Sequence, residues 1–107
     1  MNVIIQSVGF KASTELETLV NEKLQKLEPI AHGLIRADVT LFQETEATEN
    51  SYCEIRLEMP GNDPFVKKHA ASFEQSIAQA VDALQTILRK NKEKITDHQQ
   101  AGSKELL

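Results

Sequence analysis

A regular alternation of apolar and polar residues between Tyr52 and Met59 constrains this chain most. The apolar side chains fall on one face, with Cys53, Ile55, Leu57 and Met59. The other face carries Tyr52, Glu54, Arg56 and Glu58. Because successive side chains of a strand point to opposite faces, this pattern predicts a sheet with one buried and one wetter face. Residues 35–42 alternate in the same way, with Ala37, Val39 and Leu41 on the apolar side.

Two segments have helical periodicity. From Ser72 onward, apolar residues recur at the spacing of one buried helical stripe: Phe73, Ile77, Ala80, Val81, Leu84 and Leu88. Residues 14–27 carry a similar stripe of Leu16, Leu19, Val20, Leu24 and Leu27. Ser13 or Thr14 can cap the first helix, with Thr14 and Glu17 at capping-box spacing, and Ser72 with Gln75 has that spacing at the second.

Two further strands complete the predicted order. Residues 1–8 are rich in β-branched side chains, and residues 64–70 follow a strong turn signal at 60–63. The order β-α-β-β-β-α predicts an α+β domain of two layers, in which two helices cover one face of a four-stranded sheet. The first two strands should be parallel and joined by a right-handed crossover. We expect one domain over residues 1–95 and a disordered tail over 96–107.

The charge of the chain is uneven. The net charge is −4, which argues against nucleic-acid binding driven by bulk charge. Residues 1–50 hold four Lys and Arg against eight Asp and Glu, whereas residues 51–107 hold eight of each. The last helix nevertheless ends in a cationic run, Arg89, Lys90, Lys92 and Lys94, with only Glu93 against it. This run suggests a polyanionic partner, although cations in a last turn can also merely complement the helix dipole.

Several classes of protein are disfavoured. One cysteine, Cys53, allows no internal disulfide, and neither a signal peptide nor an apolar run of the ~18–20 residues of a membrane span is visible. We therefore expect a cytoplasmic protein with no membrane partner. The histidines His32, His69 and His98 lack metal-ligand spacing, and no nucleophile–base set or Gly-rich phosphate loop is present. The sequence predicts no enzyme, no metal, no cofactor and no small-molecule substrate.

Several segments stand out along this order of elements: N-V-I-I-Q-S-V-G-F, K-L-Q-K-L-E, C-E-I-R-L-E-M-P-G-N-D, and S-F-E-Q-S-I-A-Q-A-V-D-A-L with L-R-K-N-K. Together they resemble one family, the ribosome hibernation promoting factors, also called ribosome-associated inhibitors or sigma-54 modulation proteins. The resemblance covers roughly residues 1–95 and is to the short form, without the dimerisation domain of the long form. It implies a layout similar to the double-stranded RNA-binding fold.

The resemblance also implies a function. Members of this family occupy the mRNA and tRNA channel of the small ribosomal subunit, block initiation and keep idle ribosomes intact. Some also promote pairing of 70S ribosomes into 100S dimers. The expected partners are therefore the 16S rRNA of the small subunit and the 70S ribosome, and the expected role is ribosome hibernation in the stress response. The alternative is a protein-interaction module, such as a sigma-factor regulator or a divergent paralogue without RNA affinity.

The family's basic positions correspond to Lys23 and Lys26 on the first helix, and to Lys90 and Lys92, beside Arg89, on the second. Glu22 and Glu28 could instead pair with the first two. Lys67 and Lys68 should point to opposite faces of a strand, so only one can join a basic surface. The predicted rRNA-binding residues are Lys23, Lys26, Lys68, Arg89, Lys90, Lys92 and Lys94. Many relatives are basic where this chain has Ala83 and Thr86, so its basic track is thinner.

The remaining candidates favour ordinary roles. We expect Tyr52, Phe42 and Phe65 to pack rather than to stack on bases, because a base-stacking platform needs several aromatic residues on adjacent strands. The sheet is expected to lack such a set. Cys53 is in phase with its apolar neighbours and should be a small buried hydrophobe. The acidic connection 43–50 should be a solvated loop, or alternatively a contact for a basic ribosomal protein tail.

Overall fold

The computed structural model describes the backbone of residues 2–45 and 48–106, and the side chains within 2–45 and 48–90. Its elements follow the predicted order: β1 Asn2–Ser7, α1 Thr14–Gln25, β2 Arg36–Gln43, β3 Ser51–Glu58, β4 Phe65–Ala70 and α2 Phe73–Leu106. The predicted α+β class is thus confirmed. The tail that was expected to be disordered, 96–107, has a helical backbone as far as Leu106. The domain limits stay a prediction.

The four strands form one sheet in the order β1-β2-β3-β4. Strands β1 and β2 are parallel, as expected for a strand–helix–strand unit, and Val3 pairs with Ala37. The other neighbours are antiparallel: Val39 of β2 pairs with Ile55 of β3, which in turn pairs with Val66 of β4. This register places Val3, Ala37, Val39, Ile55 and Val66 on the same face of the sheet.

The core lies between that face and the two helices. Ala37, Val39 and Leu41 are buried, and so are Cys53, Ile55 and Leu57, as their alternation predicts. The helices contribute their stripes, Leu16, Val20 and Leu24 from α1 and Ile77, Ala80, Val81, Leu84 and Leu88 from α2. Each fully buried Leu or Ile stabilises the fold by about 1.5–3 kcal/mol. Aliphatic burial therefore holds the helical layer against the sheet.

Both helices begin at a serine cap. Ser13 is the N-cap of α1, and its hydroxyl accepts a hydrogen bond from the Leu16 amide at 3.1 Å. Of the two candidate caps, the structure thus selects Ser13 over Thr14. At α2 the Ser72 hydroxyl accepts from the Gln75 amide at 3.3 Å. Both caps satisfy backbone donors that a helix start leaves without partners.

The chain turns sharply after α1 and after β3. Helix α1 ends at Gln25, earlier than the predicted Leu27, although Leu27 is still buried in the following turn. Strand β3 ends at Glu58, so Met59 belongs to the turn and forms a β-bridge with Asn62. These ends differ from the prediction because the apolar pattern continues into turns that also reach the core.

Candidate nucleic-acid interface

The first pair of predicted site residues lies at the end of α1. Lys23 is in the last turn of the helix and is half-buried, and Lys26 is the C-cap and is exposed. The Lys26 amide donates a hydrogen bond to the carbonyl of Lys23 at 3.2 Å. This tight turn keeps the backbones of the two lysines close in space. Both ammonium groups therefore belong to the C-terminal end of α1, where the helix dipole also favours positive charge.

The second pair lies near the middle of α2, because the helix continues to Leu106 instead of ending in the cationic run as predicted. Arg89 and Lys90 are both exposed, and they directly follow Leu88, the last described residue of the buried stripe. The buried stripe orients this part of the helix, so the two cations are carried on an ordered backbone. Lys92 and Lys94, also predicted as site residues, lie outside the described side chains.

The topology brings the two pairs to the same end of the molecule. Helix α1 leaves the end of β1, and α2 leaves the end of β4, which runs in the same direction as β1 and β2. Phe10, before α1, stacks on Phe73, the first residue of α2, with ring centroids 5.0 Å apart. Both helices therefore start together and run the same way, which puts Lys23, Lys26, Arg89 and Lys90 at the opposite end of the helical layer.

Lys68 lies apart from these four cations. It is on the edge strand β4, in the phase of the buried face, yet it is exposed. It lines a shallow groove between β4 and α2, together with Gln79, Asp82, Ala83 and Thr86. Asp82 places a carboxylate in this groove, beside the two positions where many relatives are basic. The groove thus carries little net positive charge.

The outer face of the sheet carries an aromatic row that the sequence analysis missed. Phe42, Tyr52 and His69 are direct cross-strand neighbours on β2, β3 and β4. The rings of Phe42 and Tyr52 stack with centroids 5.0 Å apart, and so do those of Tyr52 and His69. The expectation that the sheet lacks aromatic residues on adjacent strands was therefore wrong. Register between distant segments creates the row, and no local pattern reveals it.

Chemically reactive groups are scarce in the described part of the chain. Burial raises the pKa of the Cys53 thiol from 9.0 to about 12, and the neighbouring Glu54 carboxylate adds to the shift. The thiol therefore stays protonated near neutral pH and is a poor nucleophile or metal ligand. Within residues 2–45 and 48–90, no three His, Cys, Asp or Glu side chains are grouped to hold a metal ion. Among the described residues, no helix is both long and apolar enough to span a membrane.

A comparison with known families identifies the class of this protein. The sequence profile of the family described as Sigma 54 modulation protein / S30EA ribosomal protein matches residues 3–96. The chain therefore belongs to this family, and the resemblance of its segments to hibernation promoting factors is confirmed. No curated protein matches the chain at a significant level.

Solved structures show the same fold. A ribosomal subunit interface protein from Coxiella burnetii matches with a TM-score of 0.77 and 16% sequence identity, over 87% of this chain and 99% of that one. The N-terminal domain of Thermus thermophilus Protein Y matches with a TM-score of 0.73 and 24% identity, over 84% of this chain and 98% of that one. The arrangement of four strands and two helices is thus shared across distant sequences.

Proposed function

We propose that this protein binds the small ribosomal subunit through rRNA phosphates and blocks the channel for mRNA and tRNA. The observation that carries the proposal is the placement of four cations, Lys23, Lys26, Arg89 and Lys90, at one end of the helical layer. Family membership supports the ribosome as the partner, as does the likeness to a protein named for the ribosomal subunit interface. The protein would act in the cytoplasm, where idle ribosomes are stored.

The mechanism is steric and electrostatic. Each cation that meets a phosphate releases condensed counterions, which favours binding without any need to read bases. Arg89 is the strongest single contact, because its planar guanidinium can hold a phosphate with two hydrogen bonds. The folded domain then fills space that mRNA and tRNA need, and no covalent bond is made or broken. Lys92 and Lys94 continue the basic run in sequence and extend the proposed set.

Lys68 is the least central member of the proposed set. It sits beside α2, across from the flank where α1 packs, and Asp82 lines the same groove. Together with the net charge of −4, this predicts binding that is weaker than that of a more basic relative and is lost at a lower salt concentration. Lys23, Lys26, Arg89 and Lys90 should therefore provide more of the binding free energy than Lys68 in the groove between β4 and α2.

Sedimentation in a salt series tests this proposal. Purified ribosomes are centrifuged through sucrose with the protein at rising KCl, and the bound fraction is measured. If the four described cations contact phosphates, the logarithm of the association constant should fall with the logarithm of the salt concentration with a slope of about −3. A protein that stays at the top of the gradient even at low salt would contradict the proposal.

Competition tests the blocked channel. Labelled mRNA and initiator tRNA are bound to small subunits, and the protein is added in increasing amounts. We expect the label to be released in proportion to the protein bound, because both occupy the same space. Simultaneous binding of all three would contradict occupancy of the channel. The same gradients would reveal a 100S peak if the protein also promotes ribosome pairing.

A second candidate function is regulation of a protein partner such as a sigma factor. The family description itself names sigma-54 modulation, and the acidic balance of the chain favours a basic protein over RNA. Binding to such a protein that persists at high salt, with no binding to ribosomes, would select this function. The four cations Lys23, Lys26, Arg89 and Lys90 favour the ribosome as the partner over a sigma factor.

A further inference from the structure

The outer face of the sheet lies opposite the helices. The proposed rRNA binding by Lys23, Lys26, Arg89 and Lys90 does not use this face. Its centre is the aromatic row of Phe42, Tyr52 and His69. Phe42 and Tyr52 are half-buried, and the His69 side chain is 51% exposed. The stacked rings are thus partly accessible to the solvent on an open sheet face. Large aromatic groups that remain accessible on a surface often mark a binding site.

The row already accepts a cation. The Lys67 ammonium lies 5.6 Å from the centroid of Phe42 and 5.4 Å from that of Tyr52. Both distances are near the outer limit of about 6 Å at which a ring still attracts a cation. Lys67 is itself exposed, so this internal contact is weak and can be displaced. A guanidinium group is a better occupant than an ammonium group, because it is planar, weakly hydrated and stacks on rings.

Carboxylates surround the same end of the sheet. Glu49 contacts His69, with a carboxylate oxygen 3.9 Å and its backbone oxygen 3.1 Å from the ring Nδ1. Glu54 is the cross-strand partner of Lys67. Glu44 follows β2, and its amide donates a hydrogen bond to the Asn50 carbonyl at 3.0 Å. This bond continues the pairing of β2 and β3. Among the described residues, three carboxylates thus stand against one lysine.

We propose that the aromatic row and its carboxylates form a docking surface for a basic, arginine-containing segment of a partner protein. An arginine of the partner would stack on the rings in place of Lys67, and its guanidinium or a neighbouring one would pair with Glu44, Glu49 or Glu54. This surface lies on the face away from α1 and α2. It is therefore independent of the proposed rRNA contacts and can bind with or without a ribosome.

The same features disfavour a nucleic acid on this face. Bases could stack on aromatic rings, but next to the row the phosphates would meet three carboxylates and one cation, Lys67, because Arg56 on the same face lies over Phe65 instead. The separation of 5.0 Å between successive rings is close to the spacing of neighbouring strands, about 4.7–4.9 Å. Tyr52 is thus covered on both sides by its neighbours, and no gap is left for a base between the rings. The spacing excludes any flat group from between the rings, so a ligand must lie over the row as Lys67 does, and the charge favours a cationic one.

Tyrosine fluorescence provides a direct readout of this surface. Tyr52 is the single tyrosine and tryptophan is absent, so all emission of the tyrosine type comes from the centre of the row. The full chain is titrated with hexa-arginine peptide, and with hexa-lysine, hexa-glutamate and hexauridine at the same ionic strength. We expect hexa-arginine to change the emission at the lowest concentration, hexa-lysine to bind more weakly, and the two anionic probes to have no effect.

A matched pair of variants locates the binding. Phe42→Leu removes a ring of the row and keeps apolar packing, and it should weaken hexa-arginine binding about two- to fivefold. Phe65→Leu makes the same change at an exposed ring on the same face, where Arg56 lies 5.2 Å from the centroid. This control should bind as the unchanged protein does. Equal affinities in the two variants would overturn the proposal.

Lys67→Met separates the two kinds of partner and does not depend on the stability of the Phe42 variant. Removing the internal cation frees the rings and reduces repulsion, so hexa-arginine should bind about two- to fivefold more tightly. A nucleic acid would instead lose the phosphate contact at Lys67 and bind more weakly. Weaker binding of hexa-arginine in this variant, or binding of hexauridine that depends on Lys67, would overturn the proposal.

Discussion

At the scale of single residues, two glycines share a left-handed backbone but differ in their surroundings. Gly33 has φ +77°, and a Cβ added there would lie 3.1 Å from two ring carbons of Pro60. Gly61 has φ +76°, with nothing within 4 Å of such a Cβ. An L-residue in this region costs about 1–2 kcal/mol on backbone grounds alone. Gly33 therefore combines a conformational requirement with a close contact.

Gly33→Ala should destabilise the protein more than Gly61→Ala does. We expect about 1 kcal/mol for Gly61→Ala and a larger loss for Gly33→Ala, because only the latter presses on the Pro60 ring. Urea denaturation of both variants measures the difference. Adding Pro60→Ala to Gly33→Ala should recover part of the loss. Equal losses in the two single variants would show that the Pro60 contact has no energetic effect.

The buried Cys53 thiol should make stability depend on alkaline pH. Its pKa of about 12 in the folded state exceeds the 9.0 of an exposed thiol, so unfolding releases a proton once the pH is above 9. The stabilisation is complete below pH 9 and is lost as the pH rises towards 12. Relative to Cys53→Ala, the unchanged protein should lose up to about 1.4 kcal/mol more per pH unit in this window.

Urea denaturation at pH 8, 9.5 and 10.5 measures this effect. Cys53→Ala also leaves a small cavity, which lowers stability by the same amount at each pH and so does not alter the slope. Contributions that the two proteins share cancel in this comparison. Parallel pH profiles for the two proteins would contradict a raised pKa of Cys53.

At the scale of elements, the serine caps define where the helices begin. Ser13 contributes the hydroxyl that accepts from the Leu16 amide, whereas Thr14 is the first helical residue. Ser13→Ala should therefore cost about 1 kcal/mol of stability. Thr14→Ala is the matched control and should cost less or even stabilise, because alanine is a better helix former. Thermal unfolding followed by circular dichroism measures both, and a larger loss from Thr14→Ala would assign the cap to Thr14.

The elements could be predicted from sequence because their signals are local. Alternation in Tyr52–Met59 predicted the buried Cys53, Ile55 and Leu57, and helical spacing predicted the stripe that ends at Leu88. The ends of elements were less accurate, since Leu27 and Met59 continue the apolar pattern beyond α1 and β3. Periodicity reports which side chains are buried, but hydrogen bonds decide where an element stops.

The candidate sites depended on information that is not local. The cationic run at Arg89 and Lys90 is visible in sequence, but its proximity to the end of α1 follows from the direction of both helices. The aromatic row escaped prediction because Phe42, Tyr52 and His69 come from three strands, and only the pairing register makes them neighbours. The Lys68 position shows a further limit, since alternation indicated its face but not the carboxylate of Asp82 beside it.

At the scale of the whole molecule, the two-layer fold separates two kinds of surface. The helical layer carries cations at the end of α1 and at Arg89 and Lys90 of α2, whereas the outer sheet face carries stacked rings with carboxylates around them. The buried core between the layers keeps these surfaces on opposite sides. An acidic chain can thus present a local basic surface to a polyanion without being basic overall. This separation makes the net charge of −4 compatible with the proposed rRNA binding.

The most direct measurement is co-sedimentation with ribosomes of two double variants that change the net charge equally. Arg89→Glu with Lys90→Glu alters the proposed rRNA contacts on α2, and Lys11→Glu with Arg56→Glu alters exposed cations elsewhere. All four side chains are exposed, so neither variant should unfold. We predict that the first variant binds ribosomes roughly tenfold or more weakly and that the second binds nearly as the unchanged protein does. An equal loss of affinity in both variants, or no loss in the first, would contradict binding through Arg89 and Lys90.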